Sequence, residues 1–598
     1  VLLPMAAGFL LLAAFKLKFK LVKEFAALAV SAWMIVYSIK IYRALPLLAD
    51  FAGETILRAD SLSALILIPL PFFAVMTIIY AVGFFGLENA PDNFYGLLLL
   101  TLGAAAGIVL SNNILVLLVF WGFMGLTLFL MAYNGSDDSA AAAKKSLVIV
   151  GGTDALFILG ATILYFITGT MSMNEMSVDF SVWIGKTAYL LLLCAGLAKA
   201  GAFPFHTWVP EIAKSSSVPV AGYLPASLDK LVGVYFIARI SMDIFVMNSF
   251  MSTIVMGLGA VTIIVAVMMA LVQHDLKSLL GYHAVSQVGY MVLGIGTGGV
   301  LGIAGGLFHM INNAVYKTAL FFTAGAVEKK AGTTDLDKLG GLVKYMPYSF
   351  AVAVAASFAI SGIPPFSGFF SKWMIYQGII QKSSSAASVG FADHLWILWL
   401  AAAMFGSALT LASFLKVLHA VFLGKESGMG SVKEAPFTMI LPMGLLAGLC
   451  LVFGIGAKKL LPVTLFRIFP EVEYAGLWSP GIAAILIIIG IFAGGILYLL
   501  GTPGSFRRDQ AYIGGEELQI ESRITGVDFY KTIEELGFFK RMYLLASKKY
   551  FDIYELSARF VSGAGRIFQK AHNGIVQYYV SWCLAGFAAL LIYLAVKK

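Results

Sequence analysis

The stretch Leu190–Ile212 reads LLLLCAGLAKAGAFPFHTWVPEI, and Ala351–Gln377 reads AVAVAASFAISGIPPFSGFFSKWMIYQ. Each is an apolar run with a break near its middle. Lys199 stands five residues before Pro204 in the first, and Gly362, Pro364 and Pro365 precede Lys372 in the second. Proline removes a backbone donor and clashes with the preceding turn, so both helices are predicted to be interrupted there. The interruption frees carbonyls and amides at mid-membrane depth. Such backbone survives only where it lines a buried or hydrated cavity, and matching breaks in two halves mark an inverted-repeat transporter. Either proline alone is compatible with a packing kink; a lysine beside each favours the transporter.

Composition sets the class around these breaks. Of 598 residues, 60% are hydrophobic and 12% charged, with a mean hydropathy of +0.89. A soluble domain carries about 25% charged residues. The chain is therefore predicted to be an all-α, polytopic membrane protein of about sixteen spans, since an open strand edge in hydrocarbon leaves backbone groups unpaired. The separation of the breaks by five spans implies two five-helix units.

The net charge of +9 lies largely in short loops, which argues against nucleic acid as a partner. Lys16, Lys18, Lys20 and Lys23, the loop near Lys144, and Lys329, Lys330, Lys338 and Lys344 fall on one side. That side is predicted to be cytoplasmic, with both termini outside and Lys458, Lys459 and Arg467 on the opposite face. The first span lacks a basic leader and cleavage pattern, so a retained helix is expected. Cys194, Cys450 and Cys583 are scattered, with no paired or metal-binding spacing. No nucleotide motif or cofactor-ligating pair is present in the sequence, so no redox site, metal or cofactor is expected.

Charge at membrane depth costs at least about 2.5–3.5 kcal/mol and is kept for ion pathways. Lys199, Lys230, Lys317, Lys372 and Lys416 all sit in or against apolar runs. In GLFHMINNAVYKTALFF, Gly306–Phe322, His309, Asn313 and Lys317 recur every four residues and are predicted to share one helical face. A histidine titrates near neutrality, so this stripe can pass protons along a file of water. In QHDLKSLLGYHAVSQVGYM, Gln273–Met291, Asp275 and Lys277 read as interface charges, and His283 as a second relay candidate. Asp154 and Asp229 are rare intramembrane carboxylates; Asp154 is expected to pair with Lys199 or Lys230.

Taken together, ILRADSLSALI (Ile56–Ile66), AGLAKAGAFPFHTWVPE (Ala195–Glu211), Gln273–Met291, FHMINNAVYKTALFFTAGAV (Phe308–Val327) and GIPPFSGFFSKW (Gly362–Trp373) resemble one family. It is that of the antiporter-like membrane subunits shared by respiratory complex I, Mrp cation/proton antiporters and energy-converting membrane hydrogenases. The resemblance covers roughly Ile56 to Gly424. It implies a core with two inverted five-helix repeats in which buried lysines move protons. Lys199, Lys230, Lys317 and Lys372 stand at the family's key lysines and His309 at its relay histidine. Two departures stand out. In LLVFWGFMGLTLF (Leu117–Phe129), Gly122 occupies the place of the family's usual glutamate, and Pro225 and Asn313 replace histidines of some relatives. The amino-terminal half-channel is thereby uncoupled or served by Asp154.

The expected organisation is amino-terminal helices over 1–92, half-channels over 93–245 and 246–425, and further spans over 426–503. A lateral amphipathic helix over 504–575 and an anchor over 576–598 complete it. Apolar residues from Phe529 to Phe560 recur at helical spacing, which predicts an interfacial helix about 60–70 Å long if unbroken, on the cytoplasmic side. The resemblance makes it the lateral helix of the largest family members, and Gly514–Ile533 (GGEELQIESRITGVDFYKTI) favours the hydrogenase-type branch.

The functional expectation is a subunit without redox chemistry of its own in a redox-driven membrane complex. Its relay is Lys199, Lys230, His309, Lys317, Lys372 and Lys416, with Asp154, Asp229, His283 and Asn313 as charge partners. Its partners are other membrane subunits, further antiporter-like subunits among them, the lipid bilayer, and protons or sodium. The alternatives are a non-conducting scaffold and an Mrp-type sodium/proton antiporter subunit.

Overall fold

A computed structural model describes residues 1–13, 21–51, 53–86, 89–384, 391–424, 432–465, 467–469, 480–500, 530–572 and 574–597. Among them, ten helices are long and apolar enough to cross a membrane, from Val22–Arg43 to Val576–Val596. Four shorter apolar helices accompany them: Leu2–Ala13, Phe94–Leu110, Pro347–Ser361 and Gly481–Leu497. The helices Leu276–Gly296 and Val300–Ala331 are long but less apolar, because they carry His283, Gln287, His309, Asn313 and Lys317, all buried.

The chain divides into two compact units, Val1–Leu536 and Gly537–Lys598. Helix association in lipid depends on close approach and polar bonds, since lipid tails are as apolar as leucine. The pair Ser249–Leu271 and Leu276–Gly296 illustrates this. A Cβ on Gly259 would lie 2.8 Å from the Gly289 carbonyl oxygen, and one on Gly289 would lie 2.6 Å from that of Gly259. The two backbones touch because neither residue has a side chain.

Both expected breaks are present with nearly the same backbone. Trp183–Ala200 ends at Gly201, φ 73°, and the chain resumes as Trp208–Ser215. Pro347–Ser361 ends at Gly362, φ 81°, and resumes as Ser367–Ser384. After each glycine the next N–H reaches back to close the helix end: Ala202 donates to Leu197 at 2.8 Å, and Ile363 to Phe358 at 3.0 Å. The following turn is closed by Phe205 on Ala202 and by Phe366 on Ile363. Left-handed glycine is the residue that permits this closure without a Cβ penalty. The helix therefore stops at the glycine, three residues ahead of Pro204 and Pro365.

π-Helical turns interrupt other helices at Leu147–Gly151, Leu224–Leu228, Ile240–Ile244 and His419–Leu423. Each lies within a few residues of an intramembrane charge: Asp154, Asp229, Arg239 and Lys416, respectively. Such turns recur at functional sites because they redirect side chains and loosen carbonyls.

Two expectations are corrected. The chain is not purely helical: Leu47–Phe51 and Glu54–Ala59 form an antiparallel hairpin with an irregularity between Ala49 and Asp50. Its strands pair with each other from Leu47↔Ala59 to Phe51↔Glu54, a short element that a hydropathy reading passes over. Nor is the carboxy-terminal helix unbroken. It forms Lys531–Glu535, Gly537–Ser547 and Ile553–Ala571, the last 19 residues long. Lys549 is left-handed at φ 58°, and Asp552 caps the next helix by accepting from the Tyr554 N–H at 3.1 Å. Residues 501–529, including Phe529 and most of Gly514–Ile533, lie outside the described residues.

A clamp ties the hairpin to the rest of the first unit. Asp60 caps Ser61–Leu67 by accepting from Ser63 N–H at 2.8 Å, and receives Arg239 Nη1 at 2.6 Å and Nη2 at 2.9 Å. Arg58 lies 2.7 Å from Asp60, and Arg239 also contacts Asp243. Burial pushes the Asp60 carboxyl up, but the Arg239 bonds and charge, with the Ser63 N–H and Arg58, outweigh it and hold the group well below the usual carboxylate range.

Candidate functional site

All five lysines singled out in the sequence are buried, each with an exposure of 3% or less. None snorkels to the surface. Each ammonium donates to a backbone carbonyl. Lys230 reaches Ala200 at 2.5 Å, and Lys372 reaches Ile360 at 2.9 Å. These carbonyls belong to the last turns before the two breaks, one residue ahead of Gly201 and two ahead of Gly362. Lys416 reaches Leu271 and Gln273 at 2.7 and 3.1 Å, at the end of Ser249–Leu271. A helix carboxy-terminus carries roughly half a negative charge in its unsatisfied carbonyls, so these three ends are preformed cation seats.

Lys199 and Lys317 sit instead on mid-helix carbonyls, Trp121 at 2.9 Å and Leu280 at 3.0 Å. Aromatic faces cover four of the five. Lys199 lies 4.8 Å from the Trp121 ring centroid, Lys230 5.5 Å from Trp208, Lys317 5.7 Å from Phe414 and Lys372 4.6 Å from Tyr290. Ring faces attract cations without fixing a proton, which suits a group that changes charge.

In the first half, carboxylates lie beside the buried lysines. The charges nearest Lys199 are Asp229 and Asp154. Asp154 and Lys199 thus feel each other's charge. A Cβ on Gly122 would lie 3.8 Å from Asp154 Oδ2, and one on Gly125 would lie 3.7 Å from Lys199 Nζ. The two glycines thus open a cradle on Ile114–Ala132 that an aspartate and a lysine from other helices fill. Asp229 faces both Lys199 and Lys230. It is fully buried, and neither of its oxygens has a hydrogen-bond partner among the described residues.

In the second half, His283 is the hub. Its Nε2 is 2.8 Å from Ser413 Oγ, its ring lies against Phe414, and the charges around it are those of Lys317, Lys372 and Lys416. His309 lies beyond Lys372: Nδ1 is 2.9 Å from Ser371 Oγ, and Nε2 is 3.1 Å from Gln287 Oε1 and 3.3 Å from Tyr316 Oη. The charge that faces Lys317 across the halves is Lys230.

The stripe read from Val300–Ala331 is present as spacing but not as one file. His309 turns to Gln287 and Ser371, Lys317 to Leu280, and Asn313 to the Ala226 carbonyl at 3.5 Å. A four-residue repeat fixes a shared face but not which neighbour each residue meets, and three different helices pack there. Gln287, Tyr290, Tyr316, Ser371 and Ser413 complete the site; of these, only Gln287 carried a signal, at four residues from His283. Asp275 caps Leu276–Gly296, and Lys277 pairs with Glu328 at 2.8 Å. Among the described residues no cluster of three or more His, Cys, Asp or Glu could hold a metal.

Buried, carbonyl-seated cations and two broken helices mark a polytopic membrane protein, and comparison with known proteins agrees with this class. Residues 111–395 match the family described as NADH:quinone oxidoreductase/Mrp antiporter, TM. A Na(+)/H(+) antiporter subunit of Alkalihalophilus pseudofirmus is 30% identical over 74% of this chain and 59% of that protein. The corresponding Na(+)/H(+) antiporter subunit of Staphylococcus haemolyticus is 32% identical over 67% and 52%. The chain thus spans a little over half the length of these curated relatives. In fold, it resembles a chain of the Mrp complex of a Dietzia species, with a TM-score of 0.71 and 22% identity over 78% of this chain and 95% of that one. It also resembles a chain of the membrane-bound sulfane sulfur reductase, an archaeal respiratory membrane complex, at 0.79 and 24% over 99% of both. The chain belongs to the superfamily of antiporter-like membrane subunits found in complex I and Mrp antiporters.

Proposed function

We propose that the chain is an ion-translocating subunit of a redox-driven membrane complex, passing protons or sodium through the lysine line while the electron chemistry takes place in other subunits. The observation that carries this reading is the run of buried charges from Asp154 through Lys199, Asp229, Lys230, Lys317 and His283 to Lys372 and His309. The mechanism is electrostatic. A charge change at one group alters the next group's affinity for its proton, and opposite or like charges at about 4–6 Å shift such groups by roughly one to three units.

Asp154 stands in for the carboxylate absent at Gly122, supplied from Gly152–Thr168 over the same cradle. At the junction of the halves, Asn313 on Ala226 gives an amide contact instead of an imidazole, so water must carry the step between Lys230 and Lys317. The two breaks are read as equivalent points of inverted repeats over 93–245 and 246–425, in a cytoplasmic membrane with both termini outside. The amphipathic helices over 531–571 run laterally along neighbouring antiporter-like subunits, and Val576–Val596 anchors them. A redox-driven complex is favoured over a stand-alone exchanger because the likeness to the sulfane sulfur reductase chain extends over the full length of both.

The test uses sealed membrane vesicles holding the complete complex, with wild type or Lys317→Ala. The variant is expected to assemble and to move no ions; transport at the wild-type rate refutes the relay. A second reading, in which the chain serves an Mrp-type sodium/proton antiporter, is favoured by the names of the curated relatives. Sodium-driven proton exchange without an electron donor would select it.

A further inference from the structure

Away from the lysine line, an apolar cleft of about 230 Å³ opens where Val22–Arg43, Val300–Ala331, Phe437–Ile455 and Ala457–Thr464 come together. Its walls include Tyr42, Ile68, Phe308, Ile311, Phe453 and Val463. Phe308 directly precedes His309, so the cleft lies on the helix that carries the relay. The Tyr42 hydroxyl donates to the Val463 carbonyl and fixes one wall. The rim is cationic. The Arg467 guanidinium lies over the Tyr42 ring, 4.6 Å from its centroid. Lys458 and Lys459 are exposed on the helix that bears Val463, and Lys40 and Arg43 are exposed on either side of Tyr42.

We propose that this cleft binds an anionic phospholipid, one acyl chain lying along the apolar walls and the phosphodiester resting on Arg467, Lys458 and Lys459. Three features select this occupant. The walls are almost wholly hydrocarbon, which suits an acyl chain and gives a water-soluble anion nothing to bond beyond the rim. The lip is open to lipid, with the lining residue Val463 57% exposed. Arg467 sits on the Tyr42 wall, and Lys458 and Lys459 are exposed two and one positions before the lining residue Leu460, so the cationic side opposes the ammonium of a zwitterionic headgroup. Lysine and arginine near an anionic headgroup each raise retention by about fivefold.

The test is native mass spectrometry of the full-length protein in detergent, titrated with phosphatidylglycerol or phosphatidylcholine of the same acyl chains. One tightly held phosphatidylglycerol is expected, retained at least about fivefold better than phosphatidylcholine. Replacing Lys458, Lys459 and Arg467 together by alanine, all on the exposed surface, should erase the preference. Val463→Trp, which fills the cleft, should reduce retention of both lipids. Equal retention of the two lipids by the wild type, an unchanged preference in the triple variant, or undiminished binding by Val463→Trp overturns the assignment.

Discussion

The ammonium of Lys230 lies 2.5 Å from the carbonyl oxygen of Ala200, the residue just before the left-handed glycine that ends the first broken helix. Lys372 reaches Ile360, two residues before the left-handed Gly362 of the second break, at 2.9 Å. The break therefore does more than bend a helix. It bares carbonyls that hold a cation in hydrocarbon, where an unsolvated charge costs several kcal/mol.

Lys230→Met and Lys372→Met should each lower ion transport by about a hundredfold or more, the range lost when a proton-transfer group is removed. Methionine keeps the length and the apolar stem, so thermal stability should hold or rise. A large fall in melting temperature with parallel loss of transport would make these lysines structural.

Asp154→Asn should impair transport in the first half, and Gly122→Glu should restore it, because a side chain from position 122 grows toward the same space beside Lys199. Coupling ratios of the two single variants and the double variant check this. A double variant no better than Asp154→Asn would separate Asp154 from the missing glutamate's role.

Asp60→Ala should destabilise the first unit by about 3–5 kcal/mol, since it strands the buried Arg239 guanidinium. The pH dependence follows from the depressed Asp60 carboxyl. The unfolded chain binds this proton more readily than the folded one. The stabilisation is therefore full above the ordinary carboxylate range, declines below it, and is lost only as the pH falls through the depressed folded value. The gap in thermal stability between wild type and Asp60→Ala should narrow from pH 7 to about pH 3 without closing; parallel curves would assign the clamp no charge-dependent role.

Gly259→Leu should disrupt the first unit, because the added side chain enters the Gly289 backbone at 2.8 Å. Overpacking costs about 1–3 kcal/mol where neighbours can yield, and backbone cannot yield as a side chain does. Unchanged yield and melting temperature would contradict that contact.

Much of this architecture is legible in the sequence, and the reason is local. Gly201 with Pro204, and Gly362 with Pro365, act on their own backbone, so the breaks can be read without knowing any neighbour. The burial of Lys199, Lys230, Lys317 and Lys372 is equally local, since each lies in an apolar run. What is not legible is pairing. Arg239 meets Asp60 across 179 positions, and no periodicity points from one to the other. His309, Asn313 and Lys317 announce a common face, but Gln287, Ala226 and Leu280 are chosen by three separate packing contacts. His283 becomes a hub only because Lys317, Lys372 and Lys416 converge on it from different helices. The carboxy-terminal helix breaks at Lys549, a residue with ordinary helix propensity, where the capping of Asp552 wins locally.

The central claim is that the buried charges act in series as one chain across both halves. Ions moved per electron, measured in sealed vesicles for Lys199→Ala, Lys372→Ala and the double variant, test it most directly. A series chain predicts that either single variant stops transport and that the double variant is no worse. Two independent pathways would leave each single variant with about half the wild-type ratio and abolish it only in the double, and that result would contradict the account.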